Sequence, residues 1–246
     1  MAFLSYLIGG LGLGSVYAII ALGYSMVYGI AKMINFAHGD VIMVGAFVAY
    51  FALSSFGLPT IVALILSVVA CTVLGIVVEK LAYKPLRGAS SLSVLITAIG
   101  VSYFLQNAAM LMWGTDTKIF PTVLEGSLTI GELSIPYLTL LTILSCIVIM
   151  VVLTMFINNT KTGRAMRACS EDKGAASLMG INVNQIISIT FAIGSGLAAI
   201  AAVLLCATYP SVYPTLGSMP GIKAFTAAVL GGIGSIPGAF LGGLLL

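Results

Sequence analysis

The chain has 246 residues, 60% of them hydrophobic and only 7% charged, with 10 Lys and Arg against 7 Asp and Glu. Soluble domains carry about 25% charged residues, so lipid rather than water must cover much of this surface. That excludes a secreted disulfide scaffold and an ordinary soluble enzyme, and cations this few and scattered do not track phosphates, so no nucleic-acid partner is expected.

A membrane-spanning helix needs about 20 mostly apolar residues. The charge-free stretches are 1–31, 41–78, 88–115, 133–160, 174–222 and 224–246. They predict an all-α polytopic membrane protein, a single transmembrane domain over 1–246, with about seven helices near 5–28, 40–54, 60–79, 92–113, 136–157, 185–206 and 222–246. The first lacks a basic leader and is too long for a cleavable signal, so it reads as a retained helix. The second is short for a full span and reads as broken, tilted or partly re-entrant. The turn-like Ser54-Ser55-Phe56-Gly57-Leu58-Pro59 separates it from the third. Pro237 is expected to kink or break the seventh. The apolar runs do not alternate with polar residues, which argues against strands.

Basic residues set the orientation, because short cytoplasmic loops are enriched in them. Lys32, Lys80, Lys84, Arg87, Lys161, Arg164, Arg167 and Lys173 all fall in 29–39, 80–91 and 158–184, whereas only Lys118 and Lys223 fall on the other side. The longest loop on that side, 114–135, carries Asp116, Glu125 and Glu132. The amino terminus is therefore expected outside and the 158–184 loop inside.

Small residues four apart let helices approach closely in lipid. Gly10, Gly14 and Ala18 are so spaced, as are Gly194, Ala198 and Ala202, and Gly234, Gly238 and Gly242; each set is expected on one helical face, packing a neighbour. Catalytic signatures are missing: no GxxxxGK[ST], GxSxG or HExxH occurs, and Gly-rich runs such as Gly9–Gly14 follow no expected strand. Cys71, Cys146, Cys169 and Cys206 are isolated and His38 is the sole histidine, so no metal site is expected.

The acidic residues lie in loops or at helix ends, with Asp40 and Glu79 nearest the apolar core, which argues against a deep proton relay. Sodium coupling through carbonyls and hydroxyls stays open. In the fourth helix Ser93, Thr97, Gly100, Phe104 and Asn107 form one stripe at 100° per residue, while Gln106 points elsewhere. The stripe is a candidate path for a small polar solute, or else a seam of interhelical hydrogen bonds. Asn35, His38 and Asp40 form the densest polar cluster near the membrane, a candidate gate; Asn35 or Asp40 is equally a candidate cap for the second helix. In the 158–184 loop, Thr162 is expected to cap a helix from Gly163, and a second short helix is expected from near Asp172 to Gly180. This loop is either a docking element or a solvated connector.

Three segments carry a resemblance. Gly12-Leu13-Gly14-Ser15-Val16-Tyr17-Ala18, Ala21-Leu22-Gly23-Tyr24 and Met33–Asp40 resemble the opening of permease subunits of bacterial branched-chain amino-acid ABC importers, in particular the shorter H-type subunit. Thr162–Ala168 with Glu171–Asn182 is similar to the cytoplasmic loop of that family, and Gly231–Ala239 to its late Gly-rich segment. The resemblance implies half of a translocation pore in the bacterial inner membrane, paired as a hetero- or homodimer with a second permease subunit. It implies two cytoplasmic ATP-binding subunits beneath, which use the ATP and magnesium, since this chain is expected to hold no cofactor. A periplasmic solute-binding protein would deliver the cargo. Ala175, Ala176 and Gly180 would form the coupling helix on an ATPase, flanked by Arg164, Arg167, Glu171 and Asp172. Family members run on past an equivalent of Leu246, so the sequence is expected to be C-terminally incomplete. The competing expectation is a stand-alone facilitator or sodium-coupled carrier for a small polar solute such as urea or an amide.

Overall fold

The computed structural model describes residues 2–130 and 133–246. Glu132 of the outer loop lies outside the described residues. Among the described residues ten α-helices form in order: α1 (Ala2–Ala31), α2 (His38–Ser54), α3 (Thr60–Val78), α4 (Ser91–Trp113), α5 (Tyr137–Asn159), α6 (Lys161–Glu171), α7 (Lys173–Leu178), α8 (Val183–Thr208), α9 (Ser218–Leu230) and α10 (Ile236–Leu245). Helix α3 runs on into one π turn, Glu79–Tyr83, and a 3-10 turn, Lys84–Leu86.

Five of these helices, α1, α3 with its extension, α4, α5 and α8, are long and apolar enough to cross a membrane. Of the seven helices expected, the second is short, as read, and the last is divided. Helix α2 has only 17 residues. The helix expected over 222–246 is two, α9 with 13 residues and α10 with 10. The break comes from Gly232 and Gly234, which stand at φ +91° and +98°, a left-handed conformation glycine adopts without steric cost. Ser235 then caps α10, its side chain accepting from the Gly238 N–H at 3.3 Å. Pro237 sits in the first turn of α10, where a missing N–H costs nothing, so it opens a helix instead of kinking one.

The apolar runs form no strands among the described residues; short strands form in the polar connections. β2 (Ser127–Ile130) pairs antiparallel with β3 (Leu133–Pro136), Ser127 facing Pro136, and β1 (Lys118–Ile119) pairs with β4 (Ser211–Val212). Open sheet edges need water, so they belong outside the apolar layer.

The core gathers around α8, buried on nearly every face from Gly194 to Cys206, as a helix apolar all round must be. The inner two-thirds of α1, with α2 and α3, pack against it, and small residues set the spacing. A Cβ on Gly45 would lie 3.2 Å from the Ala199 Cα, one on Gly194 3.0 Å from a Val27 methyl, and one on Gly14 3.0 Å from the Gly243 carbonyl. Gly238 abuts Gly231, and Gly242 abuts the Ala227 carbonyl. Gly10 touches nothing in this chain, and Gly234 lies in the connector before α10, so Gly234, Gly238 and Gly242 do not share one helical face. The outer faces of α3 and α5 expose Ile65, Val69 and Val73, and Leu144, Val148, Val152 and Met155, a surface suited to lipid.

Candidate translocation path and coupling surface

Helix α2 does not start at the membrane face. His38, its first residue, lies against Gly23, where a Cβ would come 2.7 Å from the imidazole Nε2. Gly23 stands eight residues before the end of α1, about 12 Å at 1.5 Å per residue. Residues 32–37 thus return into the layer as irregular backbone, a re-entrant segment tolerated because it is buried in protein.

Helix α9 enters from the other side in the same way. Ser218, its first residue, meets Gln106 of α4, which stands seven residues before the end of α4, about 10 Å along that axis. The two helix beginnings abut through glycine: neither Gly39 nor Gly217 has room for a methyl group, because each would strike the other's carbonyl, and Gly221 packs on the Gly39 Cα.

Beside this contact lies a cleft of about 330 Å³, lined by Tyr24, Asp40, Ser102, Gln106, Ser218 and Gly221 among others. Asp40 is only 2% exposed. The Gln106 Nε2 donates to the Asp40 Oδ1 at 2.9 Å and reaches the hydroxyls of Ser102 and Ser218 at 3.3 Å each. His38 packs tilted against Tyr24 with ring centres 4.6 Å apart, and its Nε2 is buried without a partner. No side chain caps α2, whose preceding residue is Ala37; the capping expectation for Asn35 and Asp40 is therefore corrected. Asn35 instead accepts a hydrogen bond from the Tyr83 hydroxyl at 2.8 Å.

Gln106, set aside in the sequence, is thus the α4 residue that reaches the polar cluster. The stripe lies elsewhere. Ser93, Gly100, Phe104 and Asn107 are exposed and Thr97 is half-buried, and the Asn107 Nδ2 donates to its own helix at the Tyr103 carbonyl, 2.7 Å away. Within this chain the stripe lines no enclosed path. Lys223 counts with the outer segments in the sequence. It lies inside α9, its Nζ 3.4 Å from the Tyr17 hydroxyl and 5.4 Å from that ring. An ionisable side chain at membrane depth normally faces a path or a partner.

At the inner end a polar truss ties the loops together. The π turn directs Glu79 and Tyr83 inward, both 0% exposed. Glu79 forms an ion pair with Arg87 and accepts from the Ser188 hydroxyl at 2.6 Å. Arg87 also donates to Asn184, at the start of α8. This is the one ion pair among the described residues, and no group of residues there suits a metal.

The 158–184 loop folds as two helices. Thr160, not Thr162, caps α6 by accepting from the Gly163 N–H at 2.9 Å, because the helix begins two residues early, at Lys161. Gly163, Met166 and Cys169 face inward, while Arg164, Arg167 and Glu171 face out. Asp172 caps α7 from Gly174 and Ala175, 2.7 and 3.0 Å away, worth about 1 kcal/mol. A six-residue helix does not stand alone. It is seated by Ala176, 4% exposed, and by Lys173, whose Nζ donates to the last carbonyl of α1, Ala31, at 2.6 Å. Burial pushes the Lys173 ammonium below its usual range, and nearby Arg87 and Lys32 add repulsion. Gly180 ends the segment at φ +82°. Beyond this seat, Leu178 and Met179 stand 90% and 82% exposed.

Comparison with known proteins agrees with this architecture. The family model described as branched-chain amino acid transport system / permease component matches residues 6–246. The chain is 49% identical to the high-affinity branched-chain amino acid transport system permease protein BraD of Pseudomonas aeruginosa, over 99% of this chain and 84% of that protein. It is 44% identical to the permease proteins LivH of Salmonella typhimurium and Escherichia coli, over 99% of this chain and 83% of each relative. No solved structure matches the chain. A membrane-embedded helical assembly with two helix beginnings meeting inside it, matched over nearly its whole length to these relatives, belongs to the branched-chain amino acid transport permease family.

Proposed function

We propose that the chain is one half of the conduit of an ATP-driven importer, passing branched-chain amino acids inward across a bacterial inner membrane. A second permease subunit completes the conduit, as a hetero- or homodimer. A periplasmic binding protein delivers cargo to the outer face, and the amino terminus lies on that side. Two cytoplasmic ATPases supply the energy and handle ATP and magnesium. This chain performs no hydrolysis.

The observation that carries this reading is the α6–α7 surface. Its inward side is bonded to the end of α1 through Lys173, while Arg164, Arg167, Leu178 and Met179 are exposed on the outward side. A connector needs no such seat. A lever does, because force applied to α7 must reach α1, which borders the re-entrant segment and the cleft.

Gly180→Glu tests this. A side chain at φ +82° is strained, and an added charge roughens the docking face. In the assembled transporter, cargo-stimulated ATP hydrolysis is expected to vanish while the protein stays in the membrane. Normal stimulation would remove the coupling role. Uphill uptake by this chain alone, without nucleotide, would replace the importer reading with a stand-alone carrier.

A further inference from the structure

The cleft at Asp40 has an imbalance of charge. A buried carboxylate is ordinarily matched by a cation or by several donors. Asp40 is 2% exposed and has no cation beside it: the ion pair among the described residues joins Arg87 to Glu79, elsewhere. The Gln106 amide donates to it and is shared. Two amide hydrogens face three oxygens, the Asp40 Oδ1 at 2.9 Å and the Ser102 and Ser218 hydroxyls at 3.3 Å each. The cluster has more oxygens than amide hydrogens, and no cation among the described residues pairs with it.

Asp40 lies in the first turn of α2, and the beginning of α9 abuts it through Gly217, so the positive ends of two helix dipoles converge there. The cavity beside it, about 330 Å³, is within the size range of small-molecule sites. Its rim is apolar, with Ile99, Tyr103 and Ile222 exposed around the opening.

We propose that this cleft seats the ammonium group of the passing amino acid, with the Asp40 carboxylate as its counter-ion and the Ser102 and Ser218 hydroxyls as further acceptors. An ammonium brings the cation that Asp40 lacks and three donors for these oxygens, and an aliphatic side chain lies along the apolar rim. Recognition of the ammonium ignores the side chain, so this site passes any branched-chain amino acid and leaves discrimination to the partner that delivers it. The inference rests on the import reading above.

The test uses the assembled transporter in proteoliposomes with ATP and cargo-loaded binding protein. Asp40→Asn is expected to reduce leucine uptake about tenfold or more, the factor carried by one charge-assisted contact, with assembly on the ATPase retained. Asp40→Glu is expected to keep most uptake. On the wild-type transporter, 3-methylbutylamine, which is leucine without its carboxylate, is expected to slow uptake, whereas 4-methylpentanoate, which lacks the amino group, is not. The amine arm decides the matter if Asp40→Asn does not assemble. Equal inhibition by the acid, normal uptake by assembled Asp40→Asn, or wild-type uptake that requires sodium would each overturn the proposal. A wild-type transporter that moves no leucine at all would instead strike the import reading beneath it.

Discussion

Replacing Arg87 with Met isolates the energetics of the inner truss. Glu79 is 0% exposed and is held by Arg87 and by the Ser188 hydroxyl at 2.6 Å. With Arg87 gone, one neutral donor remains for a carboxylate shut away from water. Breaking a buried ion pair from one side costs about 3–5 kcal/mol. The Arg87 side chain is 17% exposed, which lets some solvent reach the pair and favours the lower end, about 3 kcal/mol. For a chain of this size that amounts to a fall in melting temperature of roughly 6–12 °C. Four buried thiols, Cys71, Cys146, Cys169 and Cys206, make a built-in readout: a thiol-reactive fluorophore reports their exposure as detergent-purified protein is heated. The double variant Glu79→Gln with Arg87→Met removes both charges and keeps a partner for Ser188, so it should recover at least half of the loss. An Arg87→Met protein melting within about 2 °C of wild type, or a double variant no better than the single one, would refute the claim that Glu79 is charged and dependent on Arg87.

Two other outcomes follow from packing and burial. Gly217→Ala forces a methyl group into the Gly39 carbonyl, so it should lower stability by about 1–3 kcal/mol and suppress uptake, while Gly10→Ala, with no neighbour to strike, should not lower the melting temperature; equal melting of the two would show that the crossing yields. Cys169 is 1% exposed and burial pushes its thiol up despite the Lys173 cation nearby. A raised thiol has less thiolate at neutral pH, so maleimide should label Cys169 far more slowly than a cysteine placed at exposed Ser177, and matching rates would mean that α6 is not seated.

What the sequence makes legible here is local. The breaks between charge-free runs locate most helix ends, and Asp172 and Gly180 mark the start and stop of α7 because a cap and a left-handed glycine act on their immediate neighbours. The path was less legible. Asp40 and Gln106 meet across 66 positions, and Glu79 and Ser188 across 109, and helical periodicity says nothing about which faces meet. In lipid the usual rule also weakens: α4 turns Phe104 and Asn107 outward together and buries Ala98 and Ala109, so polarity does not distinguish its inner side. The stripe at Ser93, Thr97 and Asn107 was regular in the sequence, yet the contact with Asp40 fell to Gln106, one position away from Asn107. The split of the last helix was signalled by its glycines, but Pro237 drew attention to the wrong residue.

The glycine contact between α2 and α9 has a mechanical corollary. Main chain meets main chain there, at Gly39 and Gly217, with no rotatable group between them. A door hung on a side chain can swing while its frame stays still, but this junction has only frame. Widening it demands that whole rods slide or tilt apart, a displacement that thermal jostling of individual residues does not supply.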